Sequence, residues 1–181
     1  MMISIRKIRS AFAWAKCARG IAAVEFAIAA PILILMFLGT FQLTDAVGTK
    51  RKIGIATRAI ADLTTQYTSI SSLEADSILL SANQIMAPYS AAPGTFTVSQ
   101  IYINAAGVAK VSWSRSRNGT ARAANSSITV PTGVAQNDSY VILAETSYPF
   151  SPTIGMPMFP TFQMTDAIYM YPRRSSSIEL Q

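Results

Sequence analysis

Histidine is absent from this chain, and cysteine occurs once, at Cys17. Without histidine there is no Ser-His or Cys-His catalytic pair, no imidazole metal ligand and no ordinary switch near neutral pH. With one cysteine no disulfide can form within the chain, so a folded domain must rest on its own core or on an assembly. Charge is scarce too. Charged residues make up 13% of the sequence and hydrophobic ones 50%, against about 25% charged in ordinary soluble domains. No His/Cys cluster has zinc-ligand spacing, and no glycine-rich phosphate loop is present. The carboxylates Asp45, Asp62, Glu74, Asp76, Asp138, Glu145, Asp166 and Glu179 stand singly. Glu74 and Asp76 are two apart and would not face each other on a helix. The inventory points away from an enzyme and predicts no cofactor, no metal site and no small-molecule substrate.

What is present is unevenly placed. Residues 1–20 carry Arg6, Lys7, Arg9, Lys16 and Arg19 and no acid. Residues 26–44 carry no charge at all. The remainder is nearly neutral, so the pI of 9.7 describes one terminal tag and does not predict nucleic-acid binding. An apolar helix of about 20 residues matches a hydrocarbon core of roughly 30 Å, and residues 21–43 fit it. A signal-peptide core is shorter, about 7 to 15 residues, and Thr44-Asp45-Ala46 is a poor site for ordinary signal removal. Basic residues before the span predict a cytoplasmic N-terminus and a periplasmic or extracellular remainder.

One residue does not fit a plain anchor. Glu25 lies a few positions inside the oil. A carboxylate costs roughly 2.5–3.5 kcal/mol at mid-bilayer on insertion scales, and less near the interface. Either Glu25 reaches the headgroups of an uncleaved anchor, or it has a cationic partner. Cutting after Gly20 would supply one: the new α-amino group of Ile21 would lie four residues before Glu25, on the same helical face.

The segment "RGIAAVEFAIAAPILILMFLG" resembles the processing site and helix of type IV pilins, and more closely that of the TadE/TadG-like pseudopilins of the tight-adherence (Flp pilus) machinery. A basic leader ends in Gly20, four residues follow, then come Glu25, the aromatic Phe26 and an apolar run with an early proline, Pro31. The resemblance implies cleavage of the Gly20–Ile21 bond by a membrane prepilin peptidase, and a role for Glu25 and Phe26 in processing or filament register. It implies a minor pseudopilin of the bacterial inner membrane whose partners are other pilins and the tight-adherence secretion machinery. "SYPF" (147–150) and "YMYPRR" (169–174) are two further similarities. Pro31 is expected to kink the helix, and Ala22, Ala23, Ala27, Ala29, Ala30 and Gly39 offer a small-residue surface. The alternative is an uncleaved single-pass protein whose outer part is a binding module.

The expected organisation is a leader over 1–20, a transmembrane helix over 21–44 and an α+β domain over 45–181. Ile53, Ala56, Ile60 and Leu63 recur at helical spacing and extend the first helix to about Thr65, with Gly48 and Gly54 as weak points. Ser71-x-x-Glu74 has the form of a capping box. It opens a second helix with Leu73, Ile78, Leu79, Ala82, Ile85 and Met86 on its apolar side, stopped by Pro88. "TFTVSQIYI", "NAAG" and "VAKVSWSRS" read as a hairpin. Residues 117–133 read as a mobile polar loop. "SYVILAETSYPF" is the third strand, residues 148–160 an extended loop, and "TDAIYMY" a last strand. The apolar run 156–160, with Phe162 and Met164, is expected to cover the core, the alternative being a contact surface for other subunits. The sum is a small α+β domain with helices packed on an antiparallel sheet.

Overall fold

The computed structural model describes residues 18–152 and 160–181, with side chains from Gly20 onward. Helix α1 runs without interruption over Ala18–Thr65. Short strand β1 (Ser69–Ile70) follows, then α2 (Ser72–Leu80), α3 (Ala82–Met86), β2 (Thr95–Ile103), β3 (Ala109–Arg117), β4 (Ser139–Phe150), β5 (Phe162–Met170) and β6 (Glu179–Leu180). The expected α+β class is what the chain adopts. It divides into two units, with the boundary between Thr44 and Asp45.

In the second unit the sheet order is β3-β2-β4-β5, all antiparallel. The hairpin turn works through Asn104. Its Oδ1 accepts from Ala106 N at 3.0 Å and Val108 N at 2.8 Å. Gly107 has φ +77°, a conformation glycine adopts at no steric cost. One face of the sheet packs on the helices. Phe96 and Val98 of β2, Trp113 of β3 and Ile142 of β4 join Ile53 and Ile60 of α1 in one core. Along α1 the buried residues Thr49, Ile53, Ala56, Thr57, Ile60 and Thr64 follow a 3.6-residue period. Leu63 does not belong to this stripe; it is exposed and Thr64 takes the inward position. Buried threonines tie the layers together: Thr57 Oγ1 lies 2.9 Å from the Ile53 carbonyl oxygen and 2.8 Å from Thr146 Oγ1 of β4.

The capping box forms as the sequence predicts. Ser71 Oγ accepts from Glu74 N at 3.2 Å, and Glu74 Oε2 accepts from Ser71 N at 2.8 Å. The helix it opens ends at Leu80, and a separate turn, α3, carries Ala82 and Met86 into the core. Leu73 is 79% exposed, because the first turn of α2 faces outward and Ala75 is the first residue to reach the core.

Three other expectations change. The third strand runs over Ser139–Phe150 as expected, so the extended-loop reading, which began at residue 148, loses its first three residues. β2 pairs with β4 only as far as Ser147, so Pro149 removes no ladder bond on that side. The segment after β3 is docked: Val111 N donates to Ser126 O at 3.0 Å, Asn125 N to Val111 O at 2.8 Å and Ile128 N to Ala109 O at 3.2 Å. It then carries Ile128, Val130 and Val134 over Ile101, Ile103 and Leu143 on the opposite sheet face, forming a second small core. In the apolar run before β5, residues 156–159 lie outside the described residues. Met164 is buried as expected, while Phe162 stays 47% exposed beside Phe150.

The C-terminal tail closes the fold. β6 pairs in parallel with β1. Ile178 is fully buried, with its N–H on Gln100 Oε1 at 2.7 Å.

Candidate functional site

The predicted site lies in the first unit. Of the predicted leader residues, Arg6, Lys7, Arg9 and Lys16 fall outside the described residues, and Arg19 is described only as part of the α1 backbone. Gly20 and Ile21 sit in the first turn of α1. Glu25 and Phe26 lie one turn further on, and Pro31 is inside the same helix. The helix therefore puts Ile21 and Glu25 on one face, four residues apart. Pro31 carries no N–H, so the Ala27 carbonyl lacks its usual helical donor.

Among the described residues no side chain of this unit packs over the site. Ile21 is 55% exposed and Phe26 69%. A Cβ added at Gly20 or at Gly39 would meet nothing within 4 Å. Glycine costs about 0.5–1 kcal/mol relative to alanine within a helix, and neither glycine relieves a contact among the described residues.

From Gly20 α1 is long and apolar enough to cross a membrane. Two hydroxyls within the apolar stretch suit that setting. Thr40 Oγ1 donates to Met36 O at 2.8 Å and Thr44 Oγ1 to Thr40 O at 2.9 Å. Such back-bonding satisfies a hydroxyl where no water is available.

In the second unit, sequence reading missed two concavities. One lies on the outer sheet face, walled by Thr95, Thr97, Ser147 and Thr165. Arg122 crosses it to grip Glu145, with Nη2 at 2.7 Å from Oε1 and Nε at 3.0 Å from Oε2. The other is a groove between α1 and β5. Neither has a linear motif, since each is assembled by strand order. Among the described residues no three His, Cys, Asp or Glu side chains come together as a metal site would require.

An apolar helix able to span a bilayer, followed in sequence by a small α+β unit, is the plan of a membrane-anchored protein. Residues 20–62 match the sequence model of the TadE-like protein family, the family this segment resembles. No curated protein and no solved structure matches the chain.

Proposed function

We propose that this chain is a minor pseudopilin of the tight-adherence pilus system, a non-catalytic assembly protein matured by a prepilin peptidase that cuts between Gly20 and Ile21. The carrying observation is that the TadE-like match begins at Gly20 itself and includes Glu25. The free surroundings of Gly20 support it. A glycine that relieves no contact among the described residues is explained if a peptidase must accommodate the backbone closely. Cleavage leaves an ammonium on Ile21 and a carboxylate four residues on. At a helix N-terminus the macrodipole favours the carboxylate and disfavours the ammonium. The ammonium therefore gains most by pairing with Glu25, in its own chain or in a neighbouring subunit. In this reading the span sits in the inner membrane with the leader cytoplasmic and the α+β unit periplasmic. The partners are the peptidase, other pilin-class helices and the secretion machinery.

Edman sequencing of the protein purified from its own host tests the reading. A start at Ile21, with the precursor accumulating uncut in Gly20→Arg, is the expected result. A mature protein that retains its leader would leave an uncleaved single-pass protein whose outer domain is a binding module.

A further inference from the structure

The two outer edges of the sheet are treated differently. The β3 edge is covered by the backbone of residues 125–128. The β5 edge is not: β5 pairs with β4 alone. Among the described residues no backbone group outside β4 bonds to it. Among the described residues Lys50 reaches this edge: its Nζ donates to the Thr165 carbonyl and lies 3.2 Å from Asp166 Oδ1. Beside this edge lies the groove of about 840 Å³ between α1 and β5, floored by Gly54, Ile55, Ile168 and Met170. Ile55 is 49% exposed, and Ile168 and Met170 are half-buried. Among the described residues no strand beyond β5 covers this side of α1.

The groove also carries an excess of positive charge. Arg173 is engaged with Asp62 at 2.6 Å and Lys50 with Asp166. Arg51 and Arg58 line the groove, and among the described residues neither has an ion-pair partner. They are seven residues apart on one helical face, about 10 Å, which is the reach of three to four residues of an extended strand.

From this we infer that β5 is a docking edge for an acidic, extended segment of a different protein, added as a fifth strand. Its groove-facing side chains would be apolar at the centre, over Ile55, Ile168 and Met170, and acidic on either side, where they meet Arg51 and Arg58. Main-chain bonds along the edge supply affinity, and the groove and its two arginines supply selectivity. The charges argue against the other occupants. A second copy would bring the same unpaired arginines to the seam. Within the chain, residues 1–17 and 153–159 contain no Asp or Glu. The inference does not depend on leader processing.

The test uses the full chain in detergent and a labelled synthetic peptide whose alternate, groove-facing positions read Glu-Val-Glu with threonine between them, and the same peptide with lysine for glutamate as control. The acidic peptide should bind, and on saturation amide exchange across Phe162–Met170 should slow while that of β3 is unchanged. Arg51→Glu/Arg58→Glu should weaken binding roughly tenfold or more with an unaltered circular dichroism spectrum. Should that variant misfold, Arg51→Gln/Arg58→Gln, which only neutralises the charges, should still weaken binding measurably. Absence of binding, equal binding of the lysine peptide, or protection elsewhere than β5 would overturn the inference. So would a concentration-dependent dimer that protects β5 without peptide, which would assign the edge to a second copy.

Discussion

Trp113 on β3 donates its indole N–H to the carbonyl oxygen of Ile178 at 2.7 Å, a bond buried from solvent that joins the sheet to the C-terminal tail across the core. Ile178 is held from both sides, because its own N–H is on Gln100. Removing one partner leaves a buried carbonyl unsatisfied, at about 1–3 kcal/mol. Trp113→Phe should therefore lower unfolding stability by that amount in urea titrations followed by far-UV circular dichroism. Residues 174–181 should become protease-sensitive in the same variant. Unchanged stability would show the tail to be tied down mainly by β6 and Ile178 packing.

The capping box gives a prediction with a pH signature. Ser71→Ala removes the cap on Glu74 N and should cost about 1 kcal/mol. Glu74 itself is held below the usual carboxylate range, first by the Ser71 backbone N–H and then by its hydroxyl. A folded-state pKa below the unfolded value means that the group binds fewer protons when folded. Its stabilisation is complete above the unfolded pKa and is lost as pH falls through the folded one. Wild-type stability should fall on acidification below the ordinary carboxylate value of 4.5, and Glu74→Gln should flatten that limb. A parallel acid limb in the variant would assign the loss to other carboxylates.

Two glycines should respond in opposite directions. A Cβ at Gly94 would lie 2.9 Å from Tyr148 Cδ2 and 3.1 Å from two carbons of the Phe96 ring, all on packed rings that cannot step aside. Gly94→Ala should destabilise by about 1–3 kcal/mol. A Cβ at Gly54 would make an ordinary 3.7 Å contact with Asp166 Oδ2. Gly54 lies inside α1, so Gly54→Ala should stabilise by about 0.5–1 kcal/mol. Melting both variants alongside wild type reads the two signs directly.

What could be read in advance follows from how local the signal is. The capping box, the Asn104 turn and the 3.6-residue stripe after Thr49 need only near neighbours in sequence, and the sequence shows them. The stripe's end was misread because Leu63 is more apolar than Thr64. Burial here is decided by helical phase, with the Thr64 hydroxyl satisfied by the Ile60 carbonyl at 2.8 Å. The docked segment 125–128 was misread as mobile because its polar residues bond through their backbone, which composition does not reveal. The β1–β6 pairing joins segments 110 positions apart, too short in each case for any periodicity. The site itself was the reverse case. Gly20, Glu25, Phe26 and Pro31 form a linear pattern, whereas the groove beside β5 exists only once the strand order is known.

The Glu25 carboxylate is the residue on which the pilin reading makes its firmest demand. Nothing in the described chain requires it, since it lies on an open helix among exposed apolar neighbours, Val24 at 59% and Ile28 at 66%. If Glu25 only tolerated the membrane, replacing it with alanine would remove a desolvation cost and leave function intact or improved. If it pairs with an Ile21 ammonium in an assembly, Glu25→Ala should still insert and still be cut, yet fail to co-purify with pilin-class partners from detergent extracts. Surface adhesion should fall with it. Glu25→Asp keeps the charge on a shorter arm and should recover part of both readouts, whereas Glu25→Gln, close in shape but uncharged, should recover neither. Full partner recovery by the glutamine variant would mean that shape rather than charge is read at this position, and the ammonium pairing would have to be abandoned.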